Sequence, residues 1–141
     1  MYLYDLLLQA GLALLVGTVF GLVSFLLGER NAGIRVFAII CVGCCLAAYL
    51  SVNFGILTKS PWMVDPTRIA AQLVSAVGFI VAGMIWIHDS QAKGLSSAAL
   101  LWVTAIMGLM IGCGSYREVI VAAFMIGILL LVIELRYWQW R

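Results

Sequence analysis

Asp65-Pro66-Thr67-Arg68-Ile69-Ala70-Ala71-Gln72-Leu73-Val74-Ser75-Ala76-Val77-Gly78-Phe79 begins with a polar turn and then runs into hydrocarbon. Aspartate is a good helix N-cap and proline suits the first helical position, so a helix starts here. Arg68, Gln72 and Ser75 follow at steps of four and three, which stacks them along one side of that helix. The chain around them is almost wholly apolar. A polar stripe entering a membrane helix is costly unless it meets protein or water, so it is read as a candidate site.

Composition sets the fold class. The 141 residues are 65% hydrophobic and 10% charged, with a mean hydropathy of +1.16. Soluble domains carry about a quarter charged residues, and this chain has too few to cover a globule. The expectation is an all-α integral membrane bundle of five transmembrane helices, forming one domain over residues 1–141. The spans read as Leu6–Leu27, Val36–Leu57, Pro66–Ile87, Ser97–Cys113 and Val119–Leu135. A bilayer takes about 17–25 apolar residues, so the first three are comfortable and the last two short. Met1–Asp5 lacks the positive region of a cleavable signal, so the first span is expected to stay.

Lys and Arg in short loops set orientation. Arg30, Arg35, Lys93, Arg136 and Arg141 fall on one side, against Lys59, Arg68 and Arg117 on the other. That imbalance places the N-terminus outside and the C-terminus in the cytoplasm. Tyr4, Trp62, Trp86, Tyr116 and Trp138 lie near proposed helix ends, as interfacial aromatics do. A net charge of +2 with no basic patch excludes a nucleic-acid partner.

Small residues recur at packing distance. Gly17 and Gly21, Gly78 with Ala82 and Gly83, and Gly108 with Gly112 allow close backbone approach, which drives association where lipid offers no hydrophobic force. Ordinary packing within the chain and contacts in a homo-oligomer both fit. The turns Gly28-Glu29-Arg30…Gly33-Ile34-Arg35 and His88-Asp89…Lys93-Gly94-Leu95 resemble each other, as a duplicated hairpin or as shared turn chemistry.

Catalysis lacks raw material. His88 is the single histidine, and the serines sit at helix ends or on small-residue faces, so no hydrolytic triad can be assembled and no enzyme is expected. Cys41, Cys44 and Cys45 spell a metal-like spacing, but thiols inside an apolar helix behave as small hydrophobes. No cofactor is expected.

The string from Asp65 to Phe79 with Ala82-Gly83, the run Gly94–Ala105 followed by Gly108 and Gly112-Cys113-Gly114-Ser115-Tyr116, and the loop Gly28–Arg35 together resemble the MgtC/SapB membrane family. The resemblance covers roughly residues 10–135 in order. It implies a bacterial inner-membrane domain with the N-terminus outside, tied to magnesium homeostasis. It also carries over Glu29, Arg30, Arg35, Asp65, Arg68 and Gln72 as family residues. Longer members have a cytoplasmic C-terminal domain, and this chain stops at Arg141, so regulation through such a domain is not expected.

Two functions follow. In the first, Asp65, Arg68, Gln72 and Ser75, with Glu29, Arg30 and Arg35, line a route for a divalent cation or proton, Mg²⁺ being the transported or sensed ion. Magnesium prefers carboxylates and retained water. With six acids in the chain, and arginines beside both groups, such a route forms more easily between copies than within one. In the second, the protein does not transport. It regulates another membrane protein, such as the ATP synthase or a transporter, through helix–helix contacts in the bilayer.

Overall fold

The computed structural model describes residues 2–27, 32–57, 65, 67–88 and 90–139. Five helices and one short hairpin follow in order: α1 Tyr2–Leu26, α2 Ile34–Leu57, α3 Thr67–Ala82, β1 Trp86–His88, β2 Gln91–Lys93, α4 Leu95–Gly112 and α5 Tyr116–Gln139. The result is an all-α membrane bundle. Four helices (α1, α2, α4 and α5) are long and apolar enough to cross a bilayer.

The core is built from backbones rather than from large side chains. A Cβ on Gly17 would stand 2.7 Å from the Cα of Ala38 and 2.9 Å from the Cβ of Cys41, and one on Gly21 would stand 2.9 Å from the Cα of Ile34. Helices α1 and α2 therefore run antiparallel at close quarters. On the other side of α2, Gly108 abuts the carbonyl of Cys41 and Gly112 that of Cys45, so α2 and α4 run parallel. Cys41 is thus gripped between Gly17 and Gly108. No residue with a side chain fits either glycine position without moving a backbone. Phe37, Leu101, Met107 and Ile111 fill the space around this seam and are fully buried.

Helix α3 lays Leu73, Val77 and Val81 against Cys44, Ala105, Ile40 and Leu109 of α2 and α4. Gly78 has nothing within 4 Å of its would-be Cβ, and Gly83 meets carbonyls of its own helix alone. Helix α5 hangs from α4 by a tight turn. Gly114, at φ 80, donates to Ile111 O at 2.9 Å, and Ser115 donates to Met110 O at 2.9 Å. This pair of bonds is a Schellman ending, which needs the left-handed residue that glycine supplies.

Two boundaries differ from expectation. The third span was expected to reach Ile87, yet the helix stops at Ala82. Beyond it Ile85, Trp86 and Ile87, favourable in strands, leave the helical path, and Trp86 pairs with Lys93 across an antiparallel hairpin. Gly94, at φ 85, closes that hairpin and lies on the carbonyl of Met84. Hydropathy alone does not separate a buried helix end from a β-branched strand. The short helix is therefore α3, with 16 residues, whereas α5 runs for 24 because Tyr116, Arg117 and Glu118 already form its first turn. The resemblance between the two polar turns cannot be followed further: one is this hairpin, and residues 28–31 lie outside the described residues.

The seam makes unequal demands on its glycines. Gly108→Ala should destabilise the protein by about 1–3 kcal/mol, the usual range for overpacking. Gly78→Ala should be neutral or stabilise by up to about 1 kcal/mol through helix propensity. Thermal unfolding in detergent, followed by circular dichroism, measures both.

Candidate functional site

Asp65 does what its position suggested. Its Oδ1 accepts from the Thr67 backbone N–H at 2.9 Å and from the Thr67 hydroxyl at 2.6 Å, which fixes the entry to α3. These hydrogen bonds, with the Arg68 charge as a smaller contribution, hold the carboxyl below its ordinary value. Pro66, read above as the first helical residue, lies outside the described residues.

Arg68, Gln72 and Ser75 lie together on α3, and all three are exposed. They point away from α2 and α4, which Leu73, Val77 and Val81 contact from the other face. Ser75 satisfies its hydroxyl on Ala71 O at 3.3 Å. The stripe is thus an external edge of the single chain. Arg35 is exposed in the first turn of α2 and is not brought to it. Glu29 and Arg30 lie outside the described residues. Among the described residues, no group of three or more His, Cys, Asp or Glu is placed to hold a metal.

Polar groups do enter the core, at positions the sequence reading passed over. Gln9 is 8% exposed, and its Nε2 donates to the Tyr116 hydroxyl at 3.0 Å, joining the N-terminal half of α1 to the start of α5. Its Oε1 is buried with no hydrogen-bond partner. Ser24, Ser97 and Thr104 are fully buried, and Thr104 returns its hydroxyl to Leu100 O at 2.7 Å. Gln9 was visible in principle, being a lone amide within the run Leu6–Leu27. The rule that singled out Gln72 applies equally to it. Tyr116 reads as an interfacial aromatic until the fold brings it to Gln9.

Along α1 and α5 the described surface is mostly hydrocarbon. An open groove of about 400 Å³ runs between α1 and α5, lined by Val19, Phe20 and Val23 on one side and Ala123, Gly127 and Leu130 on the other. The outer face of α5 exposes Ile120, Phe124 and Met125.

Long apolar helices with one buried amide and several buried hydroxyls, and, among the described residues, charges at helix ends, in the hairpin and on one outer edge, define a multi-pass α-helical membrane protein. The chain belongs to the MgtC family, whose sequence profile matches residues 10–136. It is 32% identical over 139 residues to Protein SapB of Bacillus subtilis, covering 96% of this chain and 57% of that protein. It is 41% identical over 91 residues to an Escherichia coli K12 protein named "Putative magnesium transporter YhiD", covering 62% of this chain and 42% of that one. Protein MgtC of Salmonella typhimurium is 36% identical over 98 residues, covering 70% of this chain and 39% of its own length. The chain thus spans about half the length of the curated relatives it matches. No solved structure matches it significantly.

Two outcomes test these contacts. Because the folded-state pKa of Asp65 is depressed, its carboxylate stabilises the α3 cap above the ordinary aspartate range and loses that effect as pH falls through the depressed value. Thr67→Ala should move the Asp65 titration back up, read by NMR on aspartate-labelled protein. Tyr116→Phe strands the Gln9 amide and should lower stability by about 1–2 kcal/mol, measured by thermal unfolding, with the helical circular dichroism unchanged.

Proposed function

We propose that the protein serves magnesium homeostasis from the bacterial inner membrane, with its N-terminus outside and its C-terminus in the cytoplasm. It acts there by helix contact with another membrane protein rather than by catalysis or by conducting ions through its own interior. The magnesium assignment draws on membership of the MgtC family and on the printed name of the YhiD relative. Orientation draws on the five-against-three imbalance of Lys and Arg.

One observation carries the contact reading. The centre of the bundle is occupied by backbone, with Cys41 held between Gly17 and Gly108. The buried polar groups among the described residues are Gln9, Ser24, Ser51, Ser97 and Thr104, which are amides and hydroxyls rather than carboxylates. A magnesium ion travels with water and seeks carboxylate oxygens, so this interior suits it poorly. The apolar faces of α1 and α5 on either side of their groove offer the surface a partner helix would use. The ATP synthase or a transporter is the class of partner that the family resemblance implies.

A second reading, passage of a divalent cation or proton, is favoured by the name of the YhiD relative and by the exposed Asp65 carboxylate at the mouth of α3. Its route would lie outside the single-chain core.

Reconstitution separates the two. Proteoliposomes containing the protein should show no Mg²⁺ or proton flux above empty vesicles, and Asp65→Asn and Glu29→Gln should still restore growth of a magnesium-limited strain lacking its own family member. Flux that falls in either variant would replace the contact reading with the transport one.

A further inference from the structure

Helix α3 has two unlike faces. Leu73, Val77 and Val81 are spent on α2 and α4. The opposite face carries Arg68, Gln72 and Ser75 in its first three turns and then Phe79, 84% exposed. Lipid-facing surface in this chain looks different: the outer side of α5 is an unbroken hydrocarbon face of Ile120, Phe124, Met125, Leu129 and Val132. Arg68 sits at the helix start, where its long side chain reaches the interface. Gln72 lies a turn deeper, and its short amide makes no hydrogen bond to any described residue. Ser75 and Ala71 are small and exposed, so a neighbouring helix can come close beside it.

We propose that the Arg68–Gln72–Ser75 face of α3 is covered by the same face of a second copy of this chain, forming a two-fold dimer.

The surface is complementary to itself. A two-fold axis along the membrane normal keeps each residue level with its counterpart. A carboxamide both donates and accepts, so the two Gln72 amides satisfy each other across the axis. Asp65 and Arg68 provide one negative and one positive group at the same helix end. Thr67 engages Oδ1 of Asp65, which leaves Oδ2 for the guanidinium of the other copy. A foreign helix would have to bring a matching amide, acid and base of its own, whereas a second copy brings all three in register. The interface goes beyond the contact reading above and does not rest on it, since the partner helix there meets α1 and α5.

Disulfide trapping in native membranes tests this. In a chain carrying Cys113→Ser, Ala71→Cys or Ser75→Cys should give an oxidised dimer, and Val121→Cys on α5 should not. By energy transfer between labelled copies in liposomes, Gln72→Leu should raise the dimer dissociation constant about tenfold, in the range of an interhelical hydrogen bond. The paired exchange Asp65→Arg with Arg68→Asp should retain the dimer better than either change alone. The proposal is overturned if the α3 cysteines cross-link no more than the α5 control. Capture of a foreign protein in place of a second copy, or a dissociation constant indifferent to Gln72→Leu, overturns it equally. Flux and low-magnesium growth are separate readouts, so failure of the dimer and failure of the functional reading above are told apart.

Discussion

The fold depends on one constraint: three helices meet at backbone distance along the face of α2 that carries Cys41 and Cys45. Gly17 and Gly21 bring α1 in from one side, Gly108 and Gly112 bring α4 in from the other. In lipid, where apolar side chains gain nothing by leaving their surroundings, such contact is what makes helices adhere. Large residues then fill what the glycines leave, with Phe37, Leu101 and Met107 fully enclosed. The remaining elements are placed by this seam. Helix α3 lies against the outside of α2 and α4, and α5 is attached by a turn, by the Gln9–Tyr116 bond and by the burial of Val119 beside Ala13 and Ile111.

Polarity is sorted by the same seam. Of the polar groups buried in this backbone-filled centre, Thr104 returns its hydroxyl to its own helix through Leu100, whereas Ser24 Oγ has no hydrogen-bond partner among the described residues. Among the described residues, charges stay at the ends of helices, in the hairpin at Lys93 or on the outer edge of α3. The arrangement separates the inside of one protomer, closed and weakly polar, from a surface that is apolar along α5 and polar along α3.

Much of this was legible, for physical reasons that differ by residue. Composition sufficed for a membrane bundle, because 10% charged residues cannot solvate a globule. The four-residue spacing of Gly17 and Gly21, and of Gly108 and Gly112, is a direct trace of close approach, yet Gly78 shares the pattern and faces open space. Spacing tells which glycines lie on one helix face, and the fold alone tells what that face meets. The end of α3 was illegible because Ile85-Trp86-Ile87 is as apolar as the helix before it. The sequence does mark Arg68 and Gln72 as one stripe, but not which way the stripe points. Gln9 was overlooked for a different cause: its partner Tyr116 is 107 positions away, and separation in sequence hides a pair that the fold makes adjacent.

The three cysteines of α2 have a consequence for how this molecule can be observed. Cys41 and Cys45 sit in the tightest part of the bundle and Cys44 is buried under α3, while Cys113 lies exposed beyond the end of α4. An alkylating reagent has nowhere to put its bulk beside Gly17 or Gly108 while α1, α2 and α4 are together. One thiol therefore reports the assembled protein and the other three report its coming apart, a gauge of helix separation that requires no added probe.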